Sequence, residues 1–424
     1  MCKKTIIASA VMAGLLASSS SQAANWLMLQ GTERAAAAGR AKVWGFVQAQ
    51  YQQDNSDPNA AGGYIPPKLI GPNLDSQEQF NINRARLGVR GTGMPLDSRV
   101  NYFVLAELGN NGITAPGDSG AVRITDASIT LNLDNIRIRT GLFKTPGPEE
   151  GLQAIHVFDY INFTTVTNQL MLERFPQASD TNSTPRPTPD ANMARYSRSV
   201  GAMRDVGIQF FDSFKSSGWE HSYALMIGNG NGLNFGDNDD NKDTYLYWSS
   251  ELALGGTGPR AQGLKLFAWS HNGTRTNSVD KTMEQDRDRS GLGVRNLQRP
   301  FRVGFEYMQG SGMIFQGQHR PEHIFNDEEA EGYYIDFGWY IPNSDWELDL
   351  RLDTYTRGEN HPTSAASDES TFDTTTIGAQ YHINKKTRIN MEYSSRSFES
   401  DTAAVDAQLV GVDSRLAIQL THIF

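Results

Sequence analysis

Arginines placed two residues apart dominate the candidates for chemistry in this sequence. Arg84, Arg86 and Arg90 share one face of an alternating stretch, and Arg137 and Arg139 share one face of another, with Lys144 just beyond it. Arg295, Arg302, Arg351, Arg388 and Arg396 fall on the polar faces of later alternating stretches. A guanidinium stays charged at any working pH and matches the oxygens of phosphate and carboxylate. Rows of such groups attract and guide small anions; they make or break no bond. The same polar faces carry Asp126, Asp205, Glu306, Asp336, Asp349, Asp353 and Glu392. A lining of both signs can neutralise itself in a hydrogen-bonded network, and the arginines then read as structural. Only the net field at the narrowest point separates the two readings.

Four further motifs are weaker. Gly117-Asp118-Ser119-Gly120 spells a serine-protease nucleophile sequence, but no histidine context accompanies it, and it reads as a turn. His319-Arg320-Pro321-Glu322-His323 spells a zinc-protease pattern that needs a helix, which Pro321 opposes. Asp237, Asp239, Asn241 and Asp243 have the alternating oxygens of a calcium loop. Lys242 stands where glycine is required and Trp248 where glutamate is, so a solvated loop is the better reading. The run Gly228 to Gly232 resembles a phosphate-cradling loop, yet no helix pattern follows, and turn flexibility explains it. No catalytic residue, metal ligand or cofactor is assigned.

The elements that must position the arginines are strands. Lys42 to Gln52 sets Val43, Val47, Ala49 and Tyr51 against Gln48, Gln50 and Gln52. Phe80 to Gly91 sets Ala85, Leu87 and Val89 against Arg84, Arg86 and Arg90. A third stretch aligns Tyr102, Val104, Ala106 and Leu108. A fourth sets Ala127, Ile129 and Leu131 against Asp126, Ser128 and Thr130, and a fifth Ile136, Ile138 and Leu142 against Arg137 and Arg139. Period-two alternation marks a strand with one apolar and one polar face. Further starts fall near Arg204, Trp219, Asp243, Gln262, Arg287, Phe301, Glu331, Trp346, Phe372, Lys386 and Ser414, which makes about sixteen strands. The gaps alternate in length. Leu133-Asp134, Gln298 to Pro300, Pro342 to Asp345 and Asn384-Lys385 are short; Asp54 to Gln79, Pro146 to Gly201, Gly310 to Ala330 and Arg357 to Thr371 are long. Short turns on one rim and long loops on the other are the pattern of a transmembrane barrel, and a soluble β-sandwich has no reason to sort its loops so. Trp219, Tyr333, Trp339, Tyr340, Trp346 and Tyr393 suit aromatic girdles at the two interfaces.

The totals agree. The 424 residues are 38% hydrophobic, with a mean hydropathy of −0.49, and hold no run of about 20 apolar residues that a membrane helix needs. A barrel escapes that test because only alternate residues face lipid. The net charge of −10 excludes the basic footprint of a nucleic-acid binder. Residues 1–23 read as a signal peptide: Lys3 and Lys4, an apolar core from Thr5 to Leu16, and Ser21-Gln22-Ala23 before the cut. Its removal takes the only cysteine, Cys2. Residues 24–40 read as a periplasmic N-terminal segment, and 41–424 as the barrel. Within it, 146–201 is too long for a connector and carries Ile155, Phe158, Tyr160, Ile161, Phe163, Leu170 and Met171, which call for burial against the barrel wall.

Four stretches resemble the phosphate-selective porin O and P family: R-T-G-L-F-K-T-P-G-P-E-E-G-L from Arg139 to Leu152, F-N-I-N-R-A-R-L-G-V-R-G from Phe80 to Gly91, R-D-V-G-I-Q from Arg204 to Gln209, and G-N-G-N-G-L-N from Gly228 to Asn234. The final strand, Arg415 to Phe424, is similar to the closing strand of outer-membrane barrels, with His422 at a usually apolar position. The resemblance implies a trimeric sixteen-stranded channel in the outer membrane of a Gram-negative bacterium. It implies passive entry of small anions, and a long loop after the fifth strand that folds inward and narrows the pore. The expected partners are outer-membrane lipid and lipopolysaccharide outside and small anions or other solutes inside. Arg84, Arg86, Arg90, Arg137, Arg139, Lys144, Arg295, Arg302 and Arg388 are the expected pore-lining or anion-binding residues. A weakly selective general pore and a surface receptor or adhesin acting through its outer loops are the alternatives.

Overall fold

The computed structural model describes residues 25–30, 41–56, 77–93, 97–111, 113–114, 122–171, 203–233, 236–237, 239–256, 260–276, 284–316, 323–325, 329–359, 369–401, 403, 406 and 411–424. The expected leader and the Gly117–Gly120 motif lie outside them. The strands are β1 (Lys42–Asp54), β2 (Glu78–Gly93), β3 (Asp97–Glu107), β4 (Arg123–Asn132), β5 (Arg137–Lys144) and β6 (Arg204–Ser216). They continue as β7 (Trp219–Gly228), β8 (Asp243–Gly255), β9 (Gln262–Thr276), β10 (Glu284–Gln298), β11 (Phe301–Ser311), β12 (Ile314–Gln316) and β13 (His323–Phe325). The last are β14 (Glu329–Tyr340), β15 (Trp346–Glu359), β16 (Ser370–Asn384), β17 (Thr387–Ser400) and β18 (Arg415–Ile423). All except β12 and β13 join one closed barrel, each strand antiparallel to its sequence neighbour, with β14 following β11 and β1 pairing with β18. β12 and β13 form a small hairpin in the connection between β11 and β14. His323 opens a strand there, so the zinc-protease pattern does not end on a helix.

Alternation sends apolar side chains outward. Val43, Val47, Leu87, Val104, Ile129, Leu225, Leu246, Leu266, Leu292, Ile335, Leu350, Ile377 and Ile418 are all exposed, as are Tyr333, Trp346 and Tyr393. A monomer in water rarely shows so continuous an apolar surface; a barrel in lipid requires it. Inward faces are polar at the closure, where Gln48, Gln50, Gln52, Gln419 and Thr421 are buried and Gln419 Nε2 donates to Gln50 Oε1 at 3.1 Å. Closure itself pairs Phe46 with Ile423 and Asp54 with Arg415. Phe424 extends it: its N–H donates to the Gly45 carbonyl at 3.0 Å. With every edge paired, no backbone group of the sheet is left facing hydrocarbon.

Candidate functional site

The site is the lumen, and the chain between β5 and β6 shapes it. Pro148 stands at the start of a single α-helical turn, α2 (Glu149–Leu152), which ends where the backbone becomes extended at Gln153. The chain then descends along the inner wall and climbs back to a π-helical turn at Thr167–Met171. Its acidic groups meet the bases of the far wall. Lys265 Nζ donates to Glu149 Oε2 at 2.7 Å, and Arg351 NH1 donates to Glu150 Oε1 at 3.1 Å. Asp159, at the lowest point, pairs with Arg295 at 2.8 Å, with Arg302, and with Arg260 of the turn before β9 at 3.1 Å. Acids of the wall answer backbone donors of the loop: Ile161 N–H donates to Glu392 at 2.9 Å and Thr165 N–H to Asp353 at 2.7 Å. Arg289 Nε donates to the Leu170 carbonyl at 3.0 Å and Arg287 to that of Met171 at 3.3 Å. A connector buried at this depth is tolerated only because its polar groups find such partners. Ile155, Phe158 and Tyr160 add an apolar patch with Phe46 of β1.

The loop's own groups respond to this setting. Burial would raise Glu149, but Lys265 and Arg295 outweigh it and hold the carboxyl below its ordinary range. Burial prevails at Glu150 and raises it against the pull of Arg351. His156 lies 5.0 Å from the Phe46 ring and 5.6 Å from that of Trp44; burial, then the charge of Arg388, pushes it down to about 3. It stays neutral at physiological pH.

The near wall differs. A small cavity is lined by Arg84, Arg86, Lys144 and Arg204 on one side and by Gly151, Gln153, Ile155 and Phe163 of the loop on the other. Arg86 bonds Glu107 at 2.7 Å and Arg204 bonds Asp126 at 3.1 Å. Arg84 donates to Gln48 Oε1 at 3.0 Å. Lys144 Nζ reaches the carbonyls of Gly151, Leu152 and Gln153 at 2.7, 3.4 and 2.6 Å. Among the described residues neither Arg84 nor Lys144 bonds a carboxylate, so two cations at this wall are not neutralised by contact.

The expected residues therefore divide. Arg84, Arg86 and Lys144 come together. Arg137 is bonded to Asp212, and Arg139 lies 4.5 Å from the Phe211 ring and donates to Thr130 Oγ1 at 3.0 Å. Arg90 packs over the Phe103 ring at 5.7 Å. Arg295 and Arg302 are enclosed by acids, and Arg388 holds Gln380 at 2.7 Å and the Phe158 carbonyl. Arg351 and Arg396 are paired with Glu150 and Asp54. Residue patterning missed Glu149, Glu150 and Asp159, because a loop has no alternation to report which way a side chain points. It also missed Arg204, Arg260 and Lys265.

Two motifs find local explanations. Gly230 N–H and Asn231 N–H donate to the Asp205 carboxylate at 2.7 and 3.2 Å, so the glycine run cradles an anion of the protein itself. Gly230 has φ +69°, which glycine adopts without strain. In the calcium-like stretch Asp243 is turned inward to Arg275 and His271, while Asp237 takes Lys242 at 2.7 Å. No cluster of metal-binding groups occurs among the described residues.

A closed sixteen-strand barrel with an apolar belt and an inward loop has the fold of Gram-negative outer-membrane porins, and that fold belongs in the outer membrane. The outer-membrane channel DcaP of Acinetobacter baumannii is similar, with a TM-score of 0.54 and 12% identity over 93% of this chain and 100% of that one. OmpF of Salmonella typhi, solved with daunomycin, gives 0.53 and 11% over 91% and 97%. The anion-selective porin of Comamonas acidovorans gives 0.52 and 13% over 91% and 99%. No protein-family model and no curated protein matches the sequence.

Proposed function

We propose that this chain forms a water-filled pore for passive diffusion of small hydrophilic solutes, with anions preferred. The observation that carries the reading is the asymmetry of the lumen. On the far wall acids and bases pair, while at the near wall Arg84 and Lys144 bring charge with no bonded carboxylate. Lys144 directs its protons at loop carbonyls, so it supplies field more than donors. Phosphate-like anions fall within the class such a field attracts, and the motifs shared with the phosphate-selective porins support this finer reading. The similarity to an anion-selective porin in fold is in keeping with it. The protein assembles as a homotrimer in lipid and lipopolysaccharide after losing residues 1–23, and it carries out no bond chemistry.

The test is the reversal potential across a KCl gradient in a planar bilayer, with phosphate titrated in. Wild type should prefer chloride. A unit charge about 4 Å from the ion path changes ion energy by about 1 kcal/mol in water-like surroundings, roughly fivefold in preference. Removal of one charge in Arg84→Gln should move the reversal potential toward cations by that order, and charge reversal in Arg84→Glu with Arg86→Glu further. A cation-preferring wild type, or an unmoved double variant, refutes the anion path. The tight packing of the loop favours a second reading, a receptor or adhesin barrel; absence of stepwise conductance would select it.

A further inference from the structure

The residues before β1 turn back into the barrel. Asn25 Nδ2 donates to Glu220 Oε1 at 2.9 Å and to Ser222 Oγ at 2.6 Å on the inner face of β7. Its Oδ1 accepts from Met28 N–H at 3.3 Å and caps the single turn α1 (Trp26–Leu29). Trp26 and Leu27 are 3% and 2% exposed, and they join the apolar cluster that contains Leu152 of the loop and Phe211, Tyr247 and Phe267 of the wall. At the far end Gln30 Nε2 donates to the Leu152 carbonyl at 3.1 Å. The Gln30 carbonyl receives Arg139, and the Leu29 carbonyl receives Arg90 NH2 at 3.5 Å. Glu220, Ser222, Arg90 and Arg139 all lie in the strand halves next to the short turns.

One helical turn does not hold its shape alone, so its order here comes from docking. The segment occupies the same half of the lumen to which the long loop descends. It also engages two of the arginines that the alternating pattern places on the pore wall. Resting on the pore reading, we infer that residues 25–30 are a built-in plug. They close the short-turn half of the lumen and hold Arg90 and Arg139 away from the solute path.

The pair Asn25→Cys with Ser222→Cys tests this, because the side chains touch and the sequence has no cysteine besides Cys2. In planar bilayers the oxidised pair should hold a low, uniform conductance, and reductant should restore excursions to a larger level. Trp26→Ala with Leu27→Ala, which leaves the barrel strands untouched, should raise mean conductance about twofold or more. Failure of the cysteine pair to cross-link under oxidant overturns the placement. Equal conductance in oxidised, reduced, Trp26→Ala/Leu27→Ala and wild-type protein overturns the plug and leaves the pore intact. Absence of conductance from every form overturns the pore reading, and the plug with it.

Discussion

At the scale of single residues, Gly45 shows how tightly the barrel is sewn shut. A Cβ added there would stand 2.4 Å from the Phe424 ring and 2.4 Å from the Arg86 carbonyl oxygen. The ring could turn; the carbonyl belongs to the β1–β2 ladder and cannot. Gly45→Ala should therefore cost about 1–3 kcal/mol, the range for overpacking. The cost should appear as a lower temperature for loss of the folded, faster-migrating gel band. Phe424→Ala should relieve part of it in the double variant. An unchanged transition in Gly45→Ala would show that the β1–β2 ladder yields to the added methyl. Lys144 makes a related point: its ammonium is tied to three carbonyls, so its charge is fixed in space and its donors are spent.

At the scale of elements, the inward loop is held by charge matched across the lumen. Arg351 and Glu150 are both almost fully buried, and Arg351 also donates to the Asn162 carbonyl at 3.0 Å and lies 4.1 Å from the Tyr160 ring. Breaking a buried pair by removing one partner costs about 3–5 kcal/mol, since a charge is left behind. Arg351→Ala should thus loosen the loop while the barrel stays folded. Limited proteolysis of the detergent-solubilised barrel should then cut within residues 149–171, where wild type resists. Adding Glu150→Gln should recover part of the resistance, because it removes the stranded charge. Equal resistance of Arg351→Ala and wild type would show that the apolar patch around Phe46 carries the docking.

At the scale of the whole molecule, one surface decides the environment. Every barrel strand except β5 exposes large apolar side chains and the pairing is closed, so there is neither an edge to aggregate nor a dry interior between two sheets. The folded chain should require detergent or lipid to stay in solution. It should run faster on gels before boiling than after, because the closed sheet resists surfactant. A monodisperse, detergent-free solution of the folded chain would contradict the architecture. Electrostatics at this scale is a matter of position. The chain is acidic overall at −10, yet the near wall of the lumen is locally basic. Net charge consequently says little about which ions pass.

The sequence by itself determined the barrel. Strand faces repeat every two residues, so alternation around Arg84, Leu87 or Ile129 reports direction without any tertiary information. Loop lengths reported the two rims. Strand starts deviated by only a few residues, as at Glu284 where Arg287 had marked the beginning. Only the tertiary structure decided which cations stay uncompensated. Glu150 meets Arg351 across 201 positions of chain, and Asn162 meets Glu392 across 230. No local pattern encodes a pairing at that separation. The same holds for Asn25–Gln30, whose residues carry no periodicity and whose place inside the barrel is set by Glu220, Ser222, Leu152 and Arg139. Periodicity fixes which way a side chain points; what it meets there depends on how the closed sheet brings distant parts of the chain together.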